Sequence, residues 1–330
     1  MALSFIRQVT SSIWSTELDF CFDSFVHLER KRDQQNISYV SPYIPGPGRH
    51  AKKSSAGYNL TSLFVGSEGT LGVITGATVR LHPHPNSVAA AICAFPDVPS
   101  AVETTVNILQ CGISIARVEF LDEVQIAASN AYSGLTLPSL PTLFFEFHGA
   151  DDEEVQKQAE TVKMISDSND GGDFKWARET EERNRLWKAR HNAWYAARAL
   201  RPGCDGFSTD VCVPISRLPE VLTETKRDLT SCGLTAPIVG HVGDGNFHCL
   251  LVFDKNDEAE VREVTDFCTR LVERALSVGG TCTGEHAVGI GKQKWIPIEF
   301  GEGAYHVMRQ IKQTLDPKNI MNPGKKIRSL

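Results

Sequence analysis

Residues 240–248 read Gly-His-Val-Gly-Asp-Gly-Asn-Phe-His, and this stretch decides the local fold. The segment Gly243-Asp244-Gly245-Asn246 is strong turn chemistry, because glycine and asparagine tolerate the backbone angles of tight turns. Two histidines seven residues apart would point to opposite faces of one straight strand. The turn instead predicts a hairpin over residues 238–253, with His241 and His248 at the adjacent ends of its two strands.

A second segment, GTCTGEHAVGIGK at residues 280–292, brings the acid–histidine pair Glu285-His286. Two histidines and one carboxylate form a ligand set that leaves coordination positions open for a substrate. We therefore predict a divalent metal site, zinc or manganese, on His241, His248 and Glu285, with His286 as a spare base. The alternative is that His248 is only a hydrogen-bonded strand histidine, because this spacing alone is a weak signal.

Size and composition narrow the classes of protein. A chain of 330 residues can bury a large core and hold more than one structural unit. The net charge of −6 argues against a nucleic-acid-binding surface, and no apolar run approaches the ~18–20 residues of a transmembrane span. Nine cysteines without a CxxC pair predict reduced thiols in an intracellular compartment.

Apolar periodicity predicts strands alternating with helices, in an α+β fold whose antiparallel sheet is covered by helices. The predicted strands are residues 60–65, 72–81, 88–95, 115–120 and 142–147, besides the hairpin. The predicted helices are residues 98–110, 122–131, 153–166, 182–199, 258–278 and 304–315. The segment His82-Pro83-His84-Pro85 predicts a domain boundary.

Several motifs carry a family resemblance. GHVGDGNFH, GTCTGEHAVGIGK and LDPKNIMNPGK (315–325) resemble signature blocks of the flavin-linked D-2-hydroxy acid dehydrogenases, in the vanillyl-alcohol-oxidase flavoprotein superfamily. RLWKARHNAWYA (185–196) and STDVCVPISRLPE (208–220) resemble catalytic-domain segments of that family. SAGYNLTSLFVGSEGTLGVIT (55–75) resembles the end of its FAD-binding domain. The blocks keep the family's order from about Ser54 to about Lys326.

The resemblance implies three segments. Residues 54–85 would be the C-terminal remnant of a PCMH-type FAD-binding domain, and residues 86–330 an FAD-linked oxidase C-terminal domain. Residues 1–53 read as irregular and match no part of the family. Because the long FAD-binding portion of the family has no counterpart there, we expect a truncated chain that binds metal and holds little FAD.

The glycine-rich loop at residues 66–72 lacks the Gly-Lys-Ser/Thr ending of a P-loop and precedes a predicted strand rather than a helix. From its residues alone, a plain hairpin turn is the favoured interpretation. The resemblance instead places this loop and the C-terminal motif against FAD. The implied cofactor-binding residues are Gly66, Ser67, Glu68, Gly69, Thr70, Gly72, Val73, Ile74 and Asn322.

Arg190 lies three or four residues from Leu186, Trp187, Ala193 and Trp194, on the apolar face of its predicted helix. A guanidinium in such a place needs an anionic partner. An internal ion pair with a nearby acid is one possibility. The resemblance assigns Arg190 to the carboxylate of the substrate, which suits its planar fork of donors.

The resemblance implies an FAD-dependent enzyme that oxidises D-lactate, or a related D-2-hydroxy acid, to the 2-oxo acid. His286 would accept the hydroxyl proton, and electrons would pass to cytochrome c or another one-electron carrier. Family members are mitochondrial, so the same compartment is expected. The alternative is a catalytically silent remnant that keeps the metal pocket. A zinc hydrolase is a weaker alternative, because the chain has no HExxH motif.

Overall fold

The computed structural model describes residues 54–78 and 83–328, and the backbone of a short strand at Asp23–Phe25. The chain divides into two compact units, residues 85–285 and residues 1–84 together with 286–330. The first division falls within the predicted boundary segment, whereas the second lies inside residues 86–330, for which the sequence predicts one domain. In the described part of the chain, no helix is long and apolar enough to cross a membrane.

Numbered in chain order, the strands are β1 (Asp23–Phe25), β2 (Gly76–Thr78), β3 (Ser87–Ala94), β4 (Ile115–Leu121), β5 (Thr142–Gly149), β6 (Lys175–Ala177), β7 (Asp205–Ser208), β8 (Val211–Cys212), β9 (Ile238–His241) and β10 (Asn246–Phe253). The helices are α1 (Leu60–Phe64), α2 (Val98–Gln110), α3 (Glu123–Ser133), α4 (Asp152–Ser168), α5 (Thr180–His191), α6 (Ala193–Ala199), α7 (Leu218–Cys232), α8 (Glu258–Ser277) and α9 (Ile296–Leu315). Strands β1 and β2 pair with each other in the smaller unit.

The larger unit is built on one antiparallel sheet with the strand order β6-β3-β5-β4-β9-β10-β7, and β8 pairs with β10. In β5 the six consecutive residues Thr142–Phe147 are buried. Because successive side chains of a strand point to opposite faces, both faces of the sheet are covered there. On one face, Phe144 contacts Trp187 of α5, with ring centroids 6.4 Å apart. The predicted α+β fold, an antiparallel sheet flanked by helices, is confirmed.

Four helices of this unit begin at an aspartate whose side chain caps the first turn. The carboxylates of Asp97, Asp122, Asp151 and Asp257 accept backbone N–H groups at the starts of α2, α3, α4 and α8. Each cap satisfies donors that the helix leaves unpaired, and contributes ~1 kcal/mol. These helix starts are therefore encoded locally, and they agree with the sequence prediction to within two residues.

The strand predicted over residues 60–65 is wrong, because the chain forms helix α1 at Leu60–Phe64. Asn59 caps this helix by accepting the N–H of Ser62 at 3.1 Å. The helix packs Leu63 and the buried Phe64 against Leu71 and α9. Leu63 and Phe64 follow Leu60 by three and four positions, which is the helical spacing. The segment is too short for this spacing to be distinguished from the pattern of a buried strand.

Two further predictions need correction. The strand predicted over residues 72–81 is limited, within the described residues, to β2 at Gly76–Thr78. The helix predicted over residues 182–199 is two helices, α5 and α6, separated at Asn192, whose ψ of 4° leaves the helical range. The last helix, predicted near residues 304–315, agrees with the part of α9 that follows a kink at Gly301, where φ is 79°. Only glycine adopts such an angle without strain.

Candidate functional site

The hairpin places both histidines on one face of the sheet. Strands β9 and β10 are joined by residues 242–245, and His241 pairs with Asn246 while Val239 pairs with His248. A four-residue connection makes His241 the cross-strand neighbour of Asn246, and His248 lies two residues further along the same face. The two imidazole rings are 6.0 Å apart between centroids and nearly perpendicular. The predicted hairpin geometry is therefore confirmed.

Hydrogen bonds at Nδ1 fix the orientation of each imidazole. His248 is buried and donates from Nδ1 to the carbonyl oxygen of Thr209 at 2.8 Å. His241 donates from Nδ1 to Oε1 of Glu119 at 2.7 Å. With Nδ1 occupied in this way, Nε2 is the nitrogen left to bind a metal, the orientation that outer-shell partners impose in many metal sites.

Glu285 supplies the third donor. Its Oε1 lies 3.1 Å from Nε2 of His248 and 3.6 Å from Nε2 of His241. Its backbone N–H is 3.2–3.3 Å from the two carboxylate oxygens of the buried Asp210. Asp210 also accepts the hydroxyl of Thr283 at 2.6 Å, so one buried carboxylate fixes the segment that carries Glu285.

The donor set fits a divalent ion. His241, His248 and Glu285 each offer one ligand atom, and these atoms lie within 4.8 Å of one another. Ligand atoms that each stand ~2.0–2.2 Å from a common zinc ion are separated by about 3.0–3.5 Å, close to the two spacings to Glu285. A set of two imidazoles and one carboxylate suits zinc or manganese and leaves positions for substrate.

The charges around His241 favour its protonated form when no ion is bound. Burial opposes the charged imidazole, but hydrogen bonds to the carboxylates of Glu119 and Glu285 outweigh it and raise the pKa of His241 to about 9. Burial of Glu119 acts against its ionisation, yet Arg190 and His241 together hold the pKa of this carboxyl below its usual value. A bound cation would therefore take the place of a proton that the site already attracts.

Glu119 links Arg190 to His241, one of the candidate metal ligands. Its Nε and Nη2 donate to Oε2 of Glu119 at 3.1 and 2.8 Å, and both side chains are about nine-tenths buried. The internal ion pair considered from the sequence is thus present. The contact uses one edge of the guanidinium, and Nη1 makes no hydrogen bond that we observe with a described residue. The assignment of Arg190 to a substrate carboxylate stays a prediction.

His286 follows Glu285 directly, and its side chain is exposed in its own unit. The next residue, Ala287, has a φ of 69°, the left-handed region that a residue with Cβ seldom adopts. Such backbone angles collect at ligand-binding and catalytic segments. The role of His286 as a base stays a prediction.

Within the smaller unit, the glycine-rich loop and the C-terminal motif meet at Glu68. The side-chain amide of Asn322 donates to the carbonyl oxygen of Glu68 at 2.6 Å. The carboxylate of Glu68 accepts the backbone N–H groups of Val288 and Gly289 at 3.0 and 2.8 Å. Glu68 thus ties three segments together, a structural task that the sequence did not indicate.

The remaining predicted cofactor-binding residues lie around this junction. Ser67 and Thr70 are buried, and Thr70 closes the loop by donating its hydroxyl to the carbonyl oxygen of Ser67. Val73 and Ile74 are exposed apolar side chains. At Gly66, where φ is 79°, a Cβ would meet no heavy atom of the described residues within 4 Å. An open backbone position and exposed apolar side chains within one short segment leave room for a large ring system such as that of FAD.

Sequence reasoning missed two buried carboxylates, Glu119 and Asp210. Each lies far along the chain from the ligand that it supports, 122 residues before His241 and 75 residues before Glu285. The sequence contained one signal for Glu119. It is a charged residue in the otherwise apolar end of β4, and a buried charge needs a partner. Pairing between distant strands decided which partner it would find.

Comparison with known proteins identifies the family of this chain. Residues 84–326 match the family model described as FAD linked oxidases, C-terminal domain. The chain belongs to this family. Among solved structures, 4-ethylphenol oxidase from Gulosibacter chungangensis has 19% sequence identity and a TM-score of 0.65 over 85% of this chain and 60% of its own. A p-cresol methylhydroxylase structure has 16% identity and a TM-score of 0.61 over 82% and 58%. These likenesses support the fold alone.

Curated relatives are closer in sequence. A protein of Danio rerio named probable D-lactate dehydrogenase, mitochondrial, is 57% identical over 283 residues, which is 86% of this chain and 57% of the relative. A protein of Arabidopsis thaliana named D-lactate dehydrogenase [cytochrome], mitochondrial, is 46% identical over 84% of this chain and 49% of its own length. The chain therefore spans about half the length of the relatives that it matches.

Proposed function

We propose that this chain carries the substrate-binding half of an FAD-dependent dehydrogenase that oxidises a D-2-hydroxy acid, D-lactate first, to the 2-oxo acid. The observation that carries the proposal is the convergence of Nε2 of His241, Nε2 of His248 and Oε1 of Glu285, linked through Glu119 to a guanidinium. A cation beside a carboxylate-binding fork suits a 2-hydroxy acid, because its hydroxyl and carboxylate stand on neighbouring carbons. The names of the relatives support D-lactate.

In this proposal each residue has one task. Arg190 holds the substrate carboxylate through charge-assisted hydrogen bonds. His241, His248 and Glu285 would hold a zinc or manganese ion, and such an ion would supply the Lewis-acid chemistry that lowers the pKa of the substrate hydroxyl. His286 accepts the hydroxyl proton as general base.

The loop and the C-terminal motif would hold the cofactor. We assign FAD to the segment from Gly66 to Ile74 and to Asn322, supported by the open backbone at Gly66 and the exposed Val73 and Ile74. FAD supplies the acceptor for the two electrons that leave the substrate. Glu68 keeps the loop and the tail together, so the protein contributes a fixed surface for the ring.

The relatives' names support a proposal for the electron acceptor and for the compartment. Because relatives are named D-lactate dehydrogenase [cytochrome] and mitochondrial, we propose a mitochondrial location and cytochrome c, or another one-electron carrier, as acceptor. Reduction of cytochrome c by the D-lactate-treated holoprotein tests the acceptor. Fractionation of cells that express the native protein tests the location.

Metal analysis together with flavin reduction tests the function. Protein incubated with Mn²⁺ or Zn²⁺ and desalted should retain a stoichiometric ion, and D-lactate should bleach the absorbance of flavin bound to the holoprotein. L-lactate is the control and should leave the flavin oxidised. Retention of no ion would overturn the proposed site, and equal reduction by both lactates would overturn the proposed stereochemistry.

A further inference from the structure

Strand β4 places a carboxylate beside the candidate metal ligands. Phe120 pairs with Gly240, and Leu121 pairs with Val239. Continuing this antiparallel register by one residue puts Glu119 across from His241. Directly opposed side chains on neighbouring strands lie ~4.5–5.5 Å apart at Cβ, within reach of a hydrogen bond between an acid and an imidazole.

The two oxygens of this carboxylate have different partners. Oε1 accepts Nδ1–H of His241 at 2.7 Å, whereas Oε2 accepts Nε–H and Nη2–H of Arg190 at 3.1 and 2.8 Å. The side chain of Glu119 is only 10% exposed. A buried carboxylate whose two oxygens both accept hydrogen bonds has little freedom to move. Glu119 therefore fixes the position and the orientation of both His241 and Arg190.

We propose that Glu119 is a positioning residue that aims Nε2 of His241 at the metal and holds Arg190 in place for the substrate carboxylate. The inference rests on the proposed function and deepens it, because one side chain then links the metal-binding and carboxylate-binding parts of the site. Through Nδ1 it selects the imidazole tautomer whose Nε2 can bind a cation. Its negative charge also offsets the repulsion between the guanidinium and the cation.

Glu119→Gln is the informative substitution, because it keeps the shape and removes one acceptor. An amide has one oxygen and one NH₂ group, and the NH₂ would face a donor of either His241 or Arg190. One partner must therefore turn away. The retained oxygen can accept from only one of the two partners, and the neutral amide holds that partner more weakly than the carboxylate does, so both binding functions are weakened.

The chain offers a matched control in Glu146 on the neighbouring strand β5. Its side chain is also 10% exposed, and it also pairs with an arginine and a histidine, Arg117 at 3.6 Å and His148 at 2.9 Å. Among the described residues, we observe no hydrogen bond or ion pair between Glu146 and either Arg190 or His241. Glu146→Gln therefore reproduces the loss of a buried, paired carboxylate without touching the candidate site.

Two affinities should be measured on the full chain and both variants. The first is Mn²⁺ affinity, followed through the electron paramagnetic resonance of the free ion. The second is D-lactate affinity at saturating Mn²⁺, followed by calorimetry. Glu119→Gln should weaken Mn²⁺ binding by about 10–100-fold and D-lactate binding by about tenfold, the loss expected for one charge-assisted hydrogen bond. Glu146→Gln should match the wild type in both.

Each of the other possible results of these two measurements rejects a different part of the proposal. If the two variants behave alike in both affinities, Glu119 is only a structural residue and the proposal is overturned. If Mn²⁺ binding weakens while D-lactate binding at saturating metal stays normal, the link to Arg190 is overturned. Wild-type protein that binds neither Mn²⁺ nor D-lactate overturns the proposed function itself, which is visible before any variant is compared.

Discussion

Replacing Gly284 by alanine should disrupt the metal centre by steric contact alone. A Cβ at this position would overlap Nδ2 of Asn246, and would stand 2.8 Å from its Cγ and 3.0 Å from Oδ1 of Asp210. Asn246 cannot simply swing aside, because it is buried and its Nδ2 donates to Oδ1 of Asp210 at 2.9 Å and to the carbonyl oxygen of Val211 at 3.2 Å. Either Asn246 or the segment that carries Glu285 must move.

The cost follows from the bonds that would be lost. A hydrogen bond to a charged acceptor contributes ~1.5–3 kcal/mol, and one to a neutral carbonyl ~0.5–1.5 kcal/mol. Replacing glycine by alanine also stabilises the folded state by about 0.4–1 kcal/mol, because alanine restricts the conformations of the unfolded chain. The free energy of unfolding should therefore fall by about 1.5–3.5 kcal/mol. Because Asp210 positions Glu285, divalent-metal affinity should fall by about 10–100-fold as well.

Urea denaturation and metal titration of Gly284→Ala measure both effects. Gly243→Ala is the control in the same unit, because a Cβ there would make only an ordinary contact with Val118, at 3.7 Å from its Cβ. The control should keep wild-type metal affinity and lose little stability. Wild-type stability and metal affinity in Gly284→Ala would refute the steric argument, and would mean that the loop absorbs the methyl group without moving Glu285.

The remaining predictions concern ligands, substrate and pH. His241→Ala and Glu285→Ala should each strongly reduce the amount of bound divalent metal, because a three-ligand site compensates poorly for a lost donor. Plasma mass spectrometry measures the bound metal, and full metal occupancy in both variants would disprove the site. Arg190→Lys should weaken D-lactate use in the flavin-containing enzyme, since lysine lacks the planar fork; normal kinetics with a lower melting temperature would assign the arginine to structure alone. Asp228→Asn should destabilise the protein by about 2 kcal/mol at pH 7. Burial acts against ionisation of Asp228, but hydrogen bonds from two arginines of α8 lower the pKa of its carboxyl from 3.8 to about 2. The lowered pKa stabilises the fold above pH 3.8, so the difference from wild type should persist down to about pH 4 and shrink towards pH 2. A difference in unfolding free energy that stays constant through that range would contradict the assignment.

Local chemistry made part of this protein predictable from its sequence. The Gly-Asp-Gly-Asn turn fixed the hairpin, because few residues accept its backbone angles and the strand period then dictates which side chains share a face. Aspartate caps marked the starts of four helices in the same way. The convergence of His241, His248 and Glu285 was likewise expected from the motifs, and the structure brings these three together.

Tertiary structure alone decided how those ligands are held. Glu119 reaches His241 because β4 pairs with β9, and Asp210 reaches the backbone of Glu285 across 75 residues. Sequence periodicity reports which face of an element is apolar, but it carries no record of which distant strand becomes its neighbour. Helix α1 shows the same limit at short range, since its few apolar residues suit a strand or a helix until Leu71 and α9 supply a surface to pack against. Packing settles such choices because burial stabilises whichever conformation presents its apolar side chains to the core.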